Sequence, residues 1–282
     1  MQKSTVFVFL SAVFFSLGGL FFKITPWDAL AISSARSILA AVCIGVFLCI
    51  RRHRFRITRS VIAAALAITI TNSLYAVANK LTTAGNAIVL QFSMPAFVIL
   101  IMLVAFRKKP TRLELATCAA VLAGILCFFV DSLSTGNTAG DLMALIAGAT
   151  YACFFIFNSR EDSEPFTAIM LSYALTALIG LPSLLRTDIA GSAPQTLLAV
   201  AALGFLQQGA GQIFLALGIR QTSPVTAGLI SGIEPILNPI LVAVFYHEML
   251  SPLALLGAGI VLVSVMGYNY RTASRKESPA AS

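Results

Sequence analysis

The sequence predicts an all-α polytopic membrane protein, with ten transmembrane helices arranged as two inverted five-helix repeats. Three observations predict it. First, of 282 residues 58% are hydrophobic and only 11% charged, and mean hydropathy is +0.91. A soluble domain needs about 25% charged residues to face water, so most of this surface must face lipid. Second, ten apolar runs follow one another with short polar breaks between them. At roughly 20 residues per span they use about 200 residues, which leaves no room for a soluble catalytic domain. Third, residues 72–124 align without a gap to 212–264 at an offset of 140.

Helix 1 (5–22) follows Lys3. It imitates a signal peptide but lacks a small-x-small cleavage site before Lys23, so it is expected to stay as the first span. Its Gly18-Gly19 pair permits a bend or close packing. Helix 2 (28–50) opens at Trp27-Asp28, carries Arg36 and ends in the basic run Arg51–Arg59. Helix 3 (60–79) sets Asn72, Tyr75 and Asn79 on one stripe. Helix 4 (85–106) contains Pro95, which lacks an amide donor and frees the carbonyl of Gln91. Helix 5 (113–131) closes the first half.

Helix 6 (141–158) carries Tyr151, which matches Phe15 at an offset of 136. Helix 7 (166–185) has Tyr173, and no arginine, in the region matching Arg36. Helix 8 (195–218) offers Gln208 and Gln212. Helix 9 (223–246) places Ser231, Glu234 and Asn238 on one face, and Pro235 and Pro239 free the carbonyls of Ser231 and Pro235. Helix 10 (252–270) ends the bundle. The expected divisions are a first repeat at 1–131, an external linker at 132–140, a second repeat at 141–270 and a disordered cytoplasmic tail at 271–282.

Basic residues set the orientation. With the N-terminus inside, fifteen of the nineteen Lys and Arg fall on the cytoplasmic side; Lys23, Lys80 and Arg186 face out, and Arg36 lies within a span. The expectation is a multi-pass protein of the plasma (inner) membrane with both termini cytoplasmic. Topology alone accounts for the Arg51–Arg59 run and for the net charge of +8, so no nucleic acid is expected, while contact with anionic lipids is compatible. The five cysteines all sit in apolar runs without a CxxC pair, where Cys behaves as a small hydrophobe. Neither disulfides, a metal nor a cofactor is expected.

Within the repeat Asn72 faces Gln212, Lys80 faces Arg220, Pro95 faces Pro235 and Val121-Leu122 face Val261-Leu262. An odd number of helices per copy makes the second enter the membrane from the opposite side, the arrangement many secondary transporters use around a midplane site. The pattern Leu81-Thr-Thr-Ala-Gly-Asn-Ala-Ile…Met94-Pro95 followed by Ala123-Gly124, its partner Ser223-Pro-Val-Thr-Ala-Gly-Leu…Ile233-Glu234-Pro235, and Trp27-Asp28…Arg36-Ser37 resemble an EamA-type member of the drug/metabolite transporter superfamily. The resemblance covers nearly the whole chain. It implies a central cavity built largely from helices 1, 3, 4, 6, 8 and 9, and it names no substrate.

A charge inside the membrane is costly and therefore a functional candidate. Arg36 lies roughly 12 Å deep from one side and Glu234 roughly 13 Å from the other. In a core about 30 Å thick they can form an ion pair or meet solute separately. Glu234 has Met94 as its repeat partner, and that asymmetry suits an asymmetric solute. The amides of Asn72, Asn79, Gln91, Gln208, Gln212 and Asn238, with Ser231, Tyr75, Tyr151 and Phe15, are the further candidates for solute contact. Helix–helix hydrogen bonding is the alternative for each amide. Hinge candidates are Pro95, Pro235, Pro239, Gly18 and Gly19, because freed carbonyls in lipid need protein or a wet cavity beside them.

His247-Glu248 looks like a metal-motif fragment at an exposed helix end, without further ligands. The leading expectation is a secondary transporter, not an enzyme, moving an amino acid or related metabolite by alternating access, in efflux among other directions. Glu234 would attract a substrate amine or carry a proton. An uncoupled facilitator and a structural or receptor-like bundle are the alternatives, and the chain is expected as a monomer or homodimer.

Overall fold

The computed structural model describes the backbone of residues 3–107, 109–219, 230 and 232–277. The described residues form helices joined by short connections, with no strand among them. They are α1 (Lys3–Ile24), α2 (Ala29–Ile50), α3 (Arg59–Leu81), α4 in two segments (Ala84–Gln91 and Met94–Phe106), α5 (Arg112–Thr135), α6 (Thr138–Asn158), α7 (Pro165–Leu185), α8 in three segments (Pro194–Ala201, π-helical Ala202–Ala210 and Gly211–Ile219), α9 (Glu234–Tyr246) and α10 (Pro252–Glu277). Nine are long and apolar enough to cross a membrane, and α9 adds a shorter apolar helix of 13 residues. Ser231, Arg220 and the expected start of helix 9 at 223 lie outside the described residues.

Short polar side chains fix where the helices start. Asp28 accepts from Leu30 N at the head of α2, Thr58 from Val61 N at α3 and Thr83 from Asn86 N at α4. Each satisfies an amide that has no partner inside its own helix.

Two expected boundaries change. The linker at 132–140 shrinks to Gly136-Asn137, because α5 runs to Thr135 and α6 restarts at Thr138, with Gly136 at a φ of 78°. A left-handed turn that glycine adopts without cost replaces a long connection. The tail expected to be disordered is helical as far as Glu277, where α10 continues beyond its apolar span.

Helix packing obeys an exchange of the two halves. α3 packs on α6 and α7, and α8 packs on α1 and α2 in the matching way. α4 meets α6 as α9 meets α1, while α2 meets its own counterpart α7 and α5 meets α10. Those counterparts run antiparallel. The start of α2 bonds the end of α7 through Ser183 Oγ to Asp28 Oδ2 at 2.7 Å, and Tyr268 near the end of α10 bonds Glu114 near the start of α5. A two-fold axis in the membrane plane produces that relation, and it is the inverted repeat seen in three dimensions.

Candidate functional site

The halves enclose a central cavity of about 630 Å³, a volume within the range of roughly 300–1,000 Å³ that small-molecule sites occupy. Its lining is wider than the six expected helices. Arg36 of α2, Ser172 and Tyr173 of α7, and Met266 and Asn269 of α10 join it.

The structure brings together Phe15 on α1, Asn72 and Tyr75 on α3, Gln91 and Pro95 at the middle of α4, Tyr151 on α6, Gln208 and Gln212 on α8, and Glu234 at the head of α9. Repeat partners meet here. Phe15 and Tyr151 both line the cavity, as do Asn72 and Gln212, and Met94 and Glu234.

The middle of α4 shows why. Its segments break at Phe92-Ser93, immediately before Met94-Pro95, and a turn at Gly232-Ile233 precedes Glu234-Pro235 at the equivalent place. Proline cannot donate to the carbonyl four residues back, so the helix ends and restarts. That leaves polar backbone at mid-membrane, which is tolerated where it borders protein or a wet cavity. Pro239, in contrast, lies inside α9 without ending it.

Other candidates lie elsewhere. Asn79 is fully buried and donates to Tyr75 O at 3.0 Å. Asn238 is fully buried against Gly19, where any Cβ would collide with its amide and lie 2.9 Å from Ala84 Cβ. Gly18 faces Gln207, and α1 is continuous through both glycines. The pair therefore serves close packing in this structure, without breaking the helix.

Arg36 and Glu234 do not pair. The ion pairs among the described residues are Lys23–Glu248 and His53–Glu164. The Arg36 guanidinium instead lies 4.7 Å over the Phe22 ring, and its Nη2 donates to Asn72 O at a long 3.4 Å. Their similar depth across the bilayer says nothing about lateral separation, which is why sequence depth alone allowed the pair.

Glu248, expected at an exposed helix end, is held by protein. Its Oε2 lies 2.7 Å from Lys23 Nζ and its Oε1 accepts from Ala84 N at 2.7 Å, while Lys23 Nζ also donates to Thr82 O at 2.7 Å. Beside them Lys80 Nζ donates to Thr25 O, and Asp141 accepts from Thr82 Oγ1 and Asn86 Nδ2. This network ties the elements together where α1 and α3 end and α4 and α6 begin.

Sequence reasoning missed Gln207 and Asp141. A stripe rule built on 3.6 residues per turn misplaces Gln207, because residues 202–210 are wound as a π-helix that turns it toward the cavity beside Gln208. Asp141 was read as a span boundary, and its carboxylate is fully buried.

A model described as the EamA-like transporter family matches residues 2–130 and 138–270, with its seam at the Gly136-Asn137 turn. The uncharacterized inner membrane transporter YedA of Escherichia coli strain K12 is 26% identical over 287 residues, covering 94% of this chain and 90% of YedA. The uncharacterized transporter YwfM of Bacillus subtilis strain 168 is 26% identical over 179 residues, covering 62% of this chain and 60% of YwfM. A solved crystal structure superposes with a TM-score of 0.66 at 17% identity, over 97% of this chain and 99% of the other. That likeness speaks to the fold.

Proposed function

This chain belongs to the EamA-like transporter family and is a polytopic membrane transporter; from that premise we propose that it moves a small polar organic solute, an amino acid or related metabolite, by alternating access around the central cavity. The observation that carries the reading is the cavity itself, a solute-sized space shared by both halves and lined, among the described residues, by one carboxylate, one guanidinium, amides and aromatic rings. A purely structural bundle would have no use for such a space, and a packed centre would bury its charges in pairs.

Glu234 is the principal cavity carboxylate in this reading, available to a substrate amine or a proton. The Lys23–Glu248 network holds one end of the path shut, and the Phe92-Ser93 break of α4 and the Gly232-Ile233 turn before α9 are the flexing points. Both termini lie in the cytoplasm, following the basic-residue bias. An uncoupled facilitator shares all these features and differs only in lacking an ion site.

A thermal-stability screen of purified protein against metabolites identifies ligands. Flux of each ligand in proteoliposomes, with and without an imposed pH gradient, then tests transport and coupling. Glu234→Gln is expected to abolish gradient-driven flux while remaining folded. Wild-type flux in that variant at every pH would remove Glu234 from both roles, and absence of flux for every stabilising ligand would sink the transport reading.

A further inference from the structure

We propose that Arg36 is the carboxylate-binding end of the cavity, so that the solute is a zwitterion bearing a carboxylate and an ammonium group; this rests on the transport reading above. Arg36 is 1% exposed, the largest fully buried side chain among the described residues, and it lines the cavity. A guanidinium carries five N–H donors in a planar fork that fits a carboxylate edge-on. Here one donor has an acceptor, the Asn72 carbonyl at 3.4 Å, and Nε has none. The guanidinium lies over the Phe22 ring at 4.7 Å, a cation–π contact that holds it without neutralising its charge.

No described acidic side chain comes within ion-pair distance of Arg36. A buried charge lacking a counter-charge costs several kcal/mol, and a cavity of about 630 Å³ gives an anion room beside it. The phenols of Tyr75 and Tyr173, both cavity-lining, lie within electrostatic reach of the guanidinium and add O–H donors suited to an oxyanion.

The charge balance narrows the class further. Glu234 and Arg36 are the charged residues in the described lining. Tyr75 is within electrostatic reach of both, although they do not touch. A solute of zero net charge with separated poles satisfies the two together. A dianionic phosphate ester brings surplus negative charge beside Glu234, and a simple amine leaves Arg36 unmet. The Oε1 atoms of Gln207 and Gln208, buried in the lining without partners, supply acceptors for the ammonium pole.

The test uses purified full-length protein and the twenty α-amino acids, read by thermal shift and calorimetric titration. Each binder is compared with its carboxamide, its decarboxylated amine and inorganic phosphate. At least one amino acid is expected to bind, with its amide and amine at least tenfold weaker. Arg36→Gln is expected to weaken the amino acid at least tenfold and leave the amide unchanged, and Arg36→Lys to recover part of the loss.

Should Arg36→Gln fail to fold, the wild-type comparison of acid with amide decides alone. Equal affinity for acid and amide, or stabilisation by phosphate or amines with no amino acid binding, overturns the inference, as does an absence of any amino-acid binding. Arg36-dependent binding without flux would leave this inference standing and remove the transport reading. Flux of carboxylate-free solutes unaffected by Arg36→Gln would do the reverse.

Discussion

Lys23 Nζ stands 2.7 Å from Glu248 Oε2, and this contact joins the end of α1 in the first half to the connection after α9 in the second. Both side chains are largely sheltered, at 11% and 20% exposure, so solvent screens the pair less than it would a surface pair. Glu248 also receives the first amide of α4 from Ala84, and that bond places the carboxylate at a helix N-terminus, where negative charge is favoured. Opening this end must break the ion pair and both backbone contacts together.

Glu248→Gln should therefore bias the protein toward separation at this end, by about tenfold or more in population if the pair contributes the ~1.4 kcal/mol or more expected of a sheltered contact. Spin labels at Leu81 and Met249, both exposed, in a background without native cysteines would report a longer, broader distance distribution. Swapping the charges, Lys23→Glu with Glu248→Lys, should restore the short population only in part, because a lysine cannot accept the Ala84 amide and a glutamate cannot donate to the Thr82 carbonyl. An unchanged distribution in the single variant would show that the pair does not latch this end.

The sequence displays the helix count, the repeat and the mid-membrane break of α4 because each rests on a local rule: apolar length, an odd number of spans, and the missing amide of proline. It does not display the Lys23–Glu248 pair, whose members are 225 positions apart and each of which has an innocent topological or surface reading alone. Asn238 illustrates the opposite error. Its i+4 relation to Glu234 assigned it to one face, yet Glu234 opens α9 at the cavity while Asn238 lies a turn deeper, against Gly19 of α1. Gln207 was hidden by helix type, since nothing in a binary pattern distinguishes π from α winding.

Asp28 should give the protein a measurable acid sensitivity at the entrance to α2. Its carboxylate is held below the ordinary 3.8, first by the hydrogen bond from Ser183, with burial opposing it and the α2 backbone amides adding to it. A depressed folded value means the contribution is fully present above the unfolded value and is lost as pH falls through the folded one. Thermal melts between pH 6 and about 2.5 should show that loss below 3.8. Ser183→Ala, by letting the folded value rise toward 3.8, should shrink the loss, and Asp28→Ala should remove it while costing about 0.5–2 kcal/mol as a lost N-cap. Identical pH profiles for wild type and Asp28→Ala would refute the assignment.

Gly124 and Gly257 let the backbones of α5 and α10 touch. A Cβ on Gly124 would lie 2.9 Å from Gly257 O, and one on Gly257 would lie 2.8 Å from Gly124 O and 2.9 Å from Cys127 Cβ. Backbone cannot step aside, so Gly257→Val should destabilise by about 1–3 kcal/mol through overpacking. Gly259, two residues on, has open space around its Cβ position, and Gly259→Ala should be neutral or stabilising by up to about 1 kcal/mol. Melting temperatures of the two variants in the same detergent make the comparison, and equal shifts would contradict the crossing.

The π-helical stretch of α8 makes the most specific prediction, because it couples packing to the charge at the cavity. Gly204 and Gly209 are five residues apart, one turn of i→i+5 winding, and both face α2. A Cβ on Gly204 would strike Leu39 and come within 3.1 Å of Arg36 O, whereas one on Gly209 would meet Cys43 Sγ at 2.8 Å. Arg36, Leu39 and Cys43 succeed one another at spacings of three and four, so they form a single ridge on α2. Both Gly204→Ala and Gly209→Ala should cost about 1–3 kcal/mol of stability. Gly204→Ala, pressing on the backbone that carries the guanidinium, should in addition weaken ligand binding, while Gly209→Ala, meeting α2 two turns further on, should leave affinity close to wild type. Titration of the folded variants with one ligand separates these outcomes, and equal affinities would show that Arg36 is placed independently of the π-turn.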